Sequence, residues 1–231
     1  MLRLDRAEAV LGDFRLSADL SLPPAGRYAV IGPSGSGKST LLGMISGFTP
    51  LSDGRVSWEG RDLTGVPPGQ RPVSIVFQDQ NLFPHLSVAQ NTGLGLRPDL
   101  RLSREQHEAV ATALENVGLA GMGERRPAQL SGGQQSRVAL ARVLLRARPI
   151  LLLDEAFAAL GPALKTEMLG LLGQIADKSG ATVLMVTHEP ADARHFAPET
   201  IVVMHGRAQS PVATGPLLDN PPDALRSYLG S

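Results

Sequence analysis

The chain of 231 residues contains no cysteine, which excludes disulfides and thiolate metal sites and agrees with a reducing compartment. Neither sign of charge is in excess. The 22 basic and 22 acidic side chains leave no net field to attract a polyanion, so no nucleic-acid partner is expected. There is no apolar run of about 18 residues, so no membrane-spanning helix is expected. The first six residues, Met1-Leu2-Arg3-Leu4-Asp5-Arg6, lack the basic-then-apolar layout of a secretory signal. Repeats, low-complexity tracts and extended linkers are also missing. These absences point to a soluble cytoplasmic chain, long enough for one domain with a subdomain and a sizeable core.

What is present is concentrated first in Gly32-Pro33-Ser34-Gly35-Ser36-Gly37-Lys38-Ser39-Thr40, which fits the pattern G-x-x-x-x-G-K-[ST]. The apolar run Tyr28–Ile31 before it reads as a buried strand, and Leu41–Ile45 after it as the start of a helix. In that order the glycines let successive backbone N–H groups close around a polyphosphate, and the helix N-terminus adds partial positive charge. Lys38 is expected to reach the β- and γ-phosphates and the Ser39 hydroxyl to hold Mg²⁺. A plain Gly/Ser-rich surface loop is the competing reading. It does not explain why every fixed position falls between a strand and a helix. The sequence therefore predicts binding of a nucleoside triphosphate.

Further β-like runs occur at Val73–Phe77, Ile150–Leu153, Thr182–Val186 and Ile201–Met204, several of them continuously apolar, as strands covered on both faces are. Helical patterns between them predict an α/β fold with a mainly parallel sheet. Leu16–Leu22 alternates, which predicts an antiparallel strand with one wet face, and Arg55–Glu59 looks similar. Residues 85–148 lack strand signals. There Ser103 and Gln106 form a capping box ahead of the apolar stripe Val110, Leu114 and Val117, and Gly118 ends the helix. We expect one domain: an α/β core over 1–84 and 149–231, including a small antiparallel β part, with a helical subdomain over 85–148.

Two more segments carry chemistry. Ile150–Leu153 runs into Asp154 and Glu155, so a buried strand delivers two carboxylates to one end of the sheet. Asp154 is suited to hold Mg²⁺ directly or through water, and Glu155 to polarise an attacking water as general base. Leu130-Ser131-Gly132-Gly133-Gln134 opens the helix that runs through Ser136–Arg146, with Ser131 as N-cap and Gln134 at the third helical position. Its glycines leave backbone N–H groups uncovered at the positive helix end, a second anion site.

With the stretch Leu130–Gln134 the chain resembles the ATP-binding-cassette family, whose signature reads LSGGQ. Its P-loop, Gln78 after Val73–Phe77, the signature, Asp154-Glu155 and His188 after Thr182–Val186 stand in the family's order and span most of the chain. The resemblance implies ATP and Mg²⁺ as cofactors, with ATP on Gly32–Thr40. Gln78 contacts the metal and the water, joining Ser39 and Asp154 around Mg²⁺, and His188 is the switch that hydrogen-bonds the γ-phosphate. Glu155, His188 and Lys38 are then the catalytic set. The resemblance also implies a head-to-tail homodimer, in which Ser131, Gly132, Gly133 and Gln134 of one chain cap the γ-phosphate held by the other.

One cassette without coiled coils or membrane spans is similar to the bacterial importer arrangement, in which a separate ATPase works at the cytoplasmic face of the membrane beside permease subunits. Only about two dozen residues follow Gly206, too few for a regulatory domain. Within the family, Arg71–Gln78, Asn81–Asn91, Gly93–Leu96 and Pro162-Ala163-Leu164 before Glu167–Leu169 resemble the ATPases of thiamine importers. That branch implies an indirect partner, a periplasmic thiamine-binding protein. Importers of iron, sulfate or a polyamine, and a soluble module not tied to transport, are the alternatives. Leu82, Phe83 and Leu86 are candidates either for the groove that receives a permease helix or for ordinary core. The chain departs from the family at Ala156, where proline is usual, and at Gly161, where the loop Ala158-Ala159-Leu160-Gly161 usually ends in aspartate. It also departs at Leu11, where an aromatic commonly stacks on adenine, and at Gln135-Ser136 after the signature.

Overall fold

The computed structural model describes residues 1–79 and 81–229. In chain order the strands are β1 (Leu2–Leu11), β2 (Phe14–Leu22), β3 (Arg27–Ile31), β4 (Asp53–Trp58), β5 (Arg61–Asp62), β6 (Val73–Val76), β7 (Ile150–Asp154), β8 (Thr182–Val186), β9 (Glu199–Met204), β10 (Arg207–Ala208) and β11 (Val212–Ala213). The helices are α1 (Lys38–Ser46), α2 (Val88–Gly93), α3 (Arg104–Asn116), α4 (Gly132–Arg146), α5 (Pro162–Ser179), α6 (Pro190–Phe196), α7 (Thr214–Asp219) and α8 (Asp223–Leu229).

The strands follow one path, β5-β4-β1-β2-β10-β9-β3-β8-β7-β6, with β11 paired to β9. Its first half is antiparallel around β1, which pairs with β2 on one side and β4 on the other. The second half is parallel: β9, β3, β8, β7 and β6 lie side by side in one direction. The short β10 joins the halves, parallel to β2 and antiparallel to β9. The expected parallel sheet and antiparallel part are thus arms of one continuous sheet.

Alternation explains the continuous apolar runs. Tyr28 and Val30 of β3, Ile150 and Leu152 of β7, and Leu184 and Val186 of β8 enter one core with α1 and the antiparallel strands. Ala29 and Ile31, Leu151 and Leu153, and Val183 and Met185 point the other way, onto α4, α5 and α6. With both faces covered, no position on these strands favours a polar residue. Each fully buried aliphatic side chain contributes roughly 1.5–3 kcal/mol.

Between β6 and β7 the described residues form helices and turns around a third apolar cluster, with Val88, Val110, Leu114, Leu119, Leu130 and Val138 at its centre. Reciprocal capping boxes open all three of these helices: Ser87 with Gln90, Ser103 with Gln106, and Ser131 with Gln134. Leu82 packs into the cores under this region, whereas Phe83 is 47% exposed and lines a groove with Phe48, Ile75, Phe77, Leu94 and Arg142. Leu86 is half-buried and does not line it. Among the described residues no helix is long and apolar enough to cross a membrane.

Candidate active site

Because β3, β6, β7 and β8 run parallel, their C-terminal ends lie along one edge of the sheet, where ligands of α/β folds collect. The loop Gly32–Gly37 leaves β3, Gln78 follows β6, Asp154-Glu155 ends β7, and His188 follows β8. Four chain segments far apart in sequence therefore converge through the strand order alone.

The phosphate-loop residues form a tight turn into α1. Gly32 has φ 153°, and a Cβ there would lie 2.0 Å from the Val203 carbonyl oxygen of β9. Gly37, at φ 107°, caps α1 with its Cα facing Phe14 and Leu16 of β2, so a side chain there would also collide. Lys38 is buried, and its Nζ donates to the carbonyls of Gly32 at 2.8 Å and Pro33 at 2.9 Å. Burial lowers the Lys38 pKa against the opposing pull of Glu155 and Asp154. Ser36 Oγ is buried within the loop with no hydrogen-bond partner among the described residues. An orphan hydroxyl beside a lysine and a helix N-terminus suits a polyanion that brings its own acceptors.

Ser39 Oγ, one residue on, donates to Asp154 Oδ1 at 3.2 Å. Burial raises the Asp154 pKa, with the neighbouring Glu155 in support, while the Ser39 hydroxyl pulls it down. Gln78 stands exposed on the turn after β6 and shares a cleft with Ser39, Asp154, Glu155 and Phe77. A hydroxyl, a carboxylate and an amide oxygen around one cleft suit Mg²⁺, which takes hard oxygen donors and keeps phosphate and water for its remaining positions.

Glu155 adopts a left-handed backbone, φ 50°, at a cost of about 1–2 kcal/mol for a residue with a Cβ. That twist turns its carboxylate off the strand and onto His188, whose Nε2 lies 2.5 Å from Glu155 Oε1. Beneath them, the Thr187 hydroxyl donates to Asp192 (2.9 Å), and buried Lys165 bridges Glu189 (2.5 Å) and Asp192 (3.5 Å). Burial opposes the Lys165 charge, but these carboxylates prevail and raise its pKa. This support for the His188 loop had no motif to announce it in the sequence. Neither had Tyr228 of α8, whose Oη lies 3.4 Å from His188 Nδ1.

Ser131, Gly132, Gly133 and Gln134 are not part of this cleft. They open α4 beside a separate cavity lined by Gly118, Leu119, Arg137 and Leu164. Ser131 Oγ accepts from the Gln134 N–H (3.3 Å), and the Gln134 amide oxygen accepts from the Ser131 N–H (3.0 Å). The two glycines differ: a Cβ on Gly132 would meet open space, whereas one on Gly133 would lie 2.2 Å from Leu164 of α5. Gly133 thus serves the packing of α4 on α5, and Gly132 leaves the helix end bare. Of the departing residues, Leu11 is 47% exposed at the end of β1, and Phe14 packs inward behind Gly37. Ala156 is buried, and Gly161 is the N-cap of α5 without a side-chain cap. Gln135 ties the helix start to the preceding turn through Pro127 O at 3.1 Å.

A family model described as ABC transporter matches residues 16–158. A thiamine import ATP-binding protein, ThiQ, of Cereibacter sphaeroides is 61% identical over 230 residues, with 100% of both chains covered. Its namesake in Ruegeria sp. is 56% identical over 231 residues with the same coverage, and that of Brucella suis is 49% identical over 99% of this chain and 95% of the relative. Among solved structures, dimeric MJ0796, a bacterial ABC transporter cassette, superposes with a TM-score of 0.80 at 28% identity, covering 93% of this chain and 99% of the cassette. The same cassette as a dimer in a post-hydrolysis state bound to ADP and Pi gives 0.79.

Proposed function

Because the chain belongs to the ABC transporter family, we propose that it is the ATP-hydrolysing subunit that powers import of thiamine and thiamine phosphates, acting at the cytoplasmic face of the cell membrane. For the ATPase chemistry, the carrying observation is the convergence of Lys38, Ser39, Asp154, Glu155 and His188 at one sheet edge. For the solute, the support is the full-length similarity to thiamine import ATP-binding proteins.

In this reading Gly32–Thr40 wraps the phosphates of ATP, with backbone amides and the α1 N-terminus facing them. Lys38 exchanges its two carbonyl acceptors for the β- and γ-phosphates, a trade of one pair of charge-assisted hydrogen bonds for a stronger one. Ser39, Asp154 and Gln78 hold Mg²⁺, which supplies charge neutralisation on the phosphates. Glu155 takes a proton from the attacking water, and His188 donates from Nε2 to the γ-phosphate. Ser131, Gly132, Gly133 and Gln134 of a second chain complete the site in a head-to-tail homodimer, which agrees with the dimeric state of the similar cassette. Catalysis is mainly electrostatic positioning, so closure of the dimer, and not any single side chain, switches it on.

The domain that does this work is a core over 1–84 and 149–231 with the helical subdomain 85–148. The groove bordered by Phe48 and Phe83, both exposed apolar rings, is assigned to a cytoplasmic helix of the permease, with a periplasmic thiamine-binding protein acting through it. ATP-driven closure then moves the permease between inward- and outward-facing states.

The test is uptake of labelled thiamine at low external concentration in cells with and without the gene. Loss of uptake, restored by wild type and not by Lys38→Ala, is the expected result. Unchanged uptake would refute the thiamine assignment while leaving the ATPase in place.

A further inference from the structure

His188 is held from both sides. Its Nε2 faces the Glu155 carboxylate at 2.5 Å, and its Nδ1 faces the phenol of Tyr228 at 3.4 Å. An ionised carboxylate only accepts, so the contact with Glu155 requires a proton on Nε2. In the neutral ring that leaves Nδ1 as a bare acceptor, and the Tyr228 hydroxyl donates into it. The proton carried by one ring nitrogen is set by what the other nitrogen meets.

Tyr228 is placed for this by α8. Leu225, on the same helix face three residues earlier, is 1% exposed and belongs to the core beneath β7 and β8. The Tyr228 ring packs against that core, and its oxygen also lies 3.5 Å from the His188 carbonyl. Burial raises the Tyr228 pKa, with the Glu155 charge in support and the Gly32 backbone pulling the other way, so the phenol keeps the proton it donates. One side chain from the last helix thus meets the start of the phosphate loop and the histidine that follows β8.

We propose that Tyr228 is a positioning residue for ATP hydrolysis: its phenol holds the His188 ring in the Nε2–H tautomer, and in the orientation, that donates toward Glu155 and the γ-phosphate. The proposal rests on the role given to His188 above. It makes α8 part of the catalytic apparatus and not merely the end of the fold. When Glu155 turns to the attacking water, Tyr228 is what still fixes the ring.

The test compares the purified full-length chain with Tyr228→Phe, Tyr228→Leu and His188→Ala. Tyr228→Phe keeps the ring in the core and removes only the hydroxyl. It is expected to lower kcat about tenfold, the worth of one hydrogen bond of ordinary strength, with KM for ATP and thermal stability unchanged. Imidazole ¹⁵N shifts, assigned to His188 by their disappearance in His188→Ala and measured in a Glu155→Ala background that removes the carboxylate from Nε2, are expected to show one tautomer with Tyr228 and a mixture with Tyr228→Phe. Wild-type kcat and an unmoved tautomer in Tyr228→Phe, with only Tyr228→Leu lowering stability, would reduce Tyr228 to packing and overturn the proposal. Full turnover in His188→Ala would instead overturn the site reading beneath it, and the proposal with that reading.

Discussion

Arg71 offers a quantitative check on how the phosphate-loop helix is held. The residue is 3% exposed, and its guanidinium donates to four backbone carbonyls: Met44 at 2.7 Å, Ile45 at 2.9 Å, Val66 at 2.8 Å and Thr64 at 3.1 Å. Met44 and Ile45 lie in the last turn of α1, where carbonyls have no helical partner and a cation is favoured. Gly47 makes room for it, since a Cβ there would lie 2.5 Å from Arg71 Nε. Arg71→Met keeps most of the bulk and strands the two buried carbonyls, at about 1–3 kcal/mol each, so a loss of about 4 kcal/mol is expected. At about 2–4 °C per kcal/mol for a domain of this size, Tm falls by about 8–16 °C. Arg71→Lys keeps the charge but not the fork, and should fall between. Thermal and urea unfolding followed by circular dichroism, with an unchanged m-value, would measure both. A fall under about 3 °C for Arg71→Met would refute the capping argument.

Three further outcomes are expected. Glu155→Gln should abolish turnover and accumulate an ATP-bound dimer on size-exclusion chromatography, and hydrolysis at wild-type rate would remove Glu155 from the base role. Gly161→Asp meets nothing within 4 Å of its Cβ and sits at the N-cap of α5. It should raise stability by a few tenths to about 1 kcal/mol and sharpen the ATP concentration dependence of hydrolysis; unchanged turnover and dimerisation would show that Gly161 does not weaken communication between sites. Asp154→Asn should abolish MgATP hydrolysis yet stabilise the nucleotide-free chain at neutral pH. Because burial raises the folded pKa of Asp154, the native state binds its proton more tightly than the unfolded state. Stability is therefore highest below the unfolded carboxylate pKa and declines as pH rises through the folded one. The gain from Asn should vanish in acid, and a lower Tm at pH 7 would contradict it.

The parallel strands and the convergence of the segments that follow them were legible because two-sided burial makes the runs apolar, and the residue types proposed for phosphate and metal contact stand out at the strand ends. The longest strand, β1, carries no comparable signal. Leu2 and Leu4 face the core, the register shifts past Asp5, Arg6 takes φ 43°, and Ala7 and Ala9 resume in the other phase. A bulge in the middle of a strand breaks a period of two, and alanine marks the second half weakly. Leu82 and Phe83 were equivalent as adjacent apolar residues, and only the fold sends one inward and leaves the other on the groove. Lys165 and Tyr228 reach the His188 loop from helices that no motif connects to it.

The energetics divide along the same line. Away from the sheet edge the chain uses inexpensive, reciprocal devices: three capping boxes, each joining one hydroxyl and one amide to free backbone groups, and a guanidinium spread over helix-end carbonyls. At the edge it holds a left-handed glutamate, a partly buried aspartate whose pKa burial raises, and a buried lysine, and it packs the first glycine of the phosphate loop against a carbonyl of β9. The left-handed glutamate and the buried lysine each lower stability in the chain alone, and in the proposed reading bound phosphate offsets the second. A site that is costly alone and satisfied by its ligand makes binding energy available for closure. The support from Lys165 and Tyr228 lies beneath these strained groups, where a small displacement of His188 would cost most.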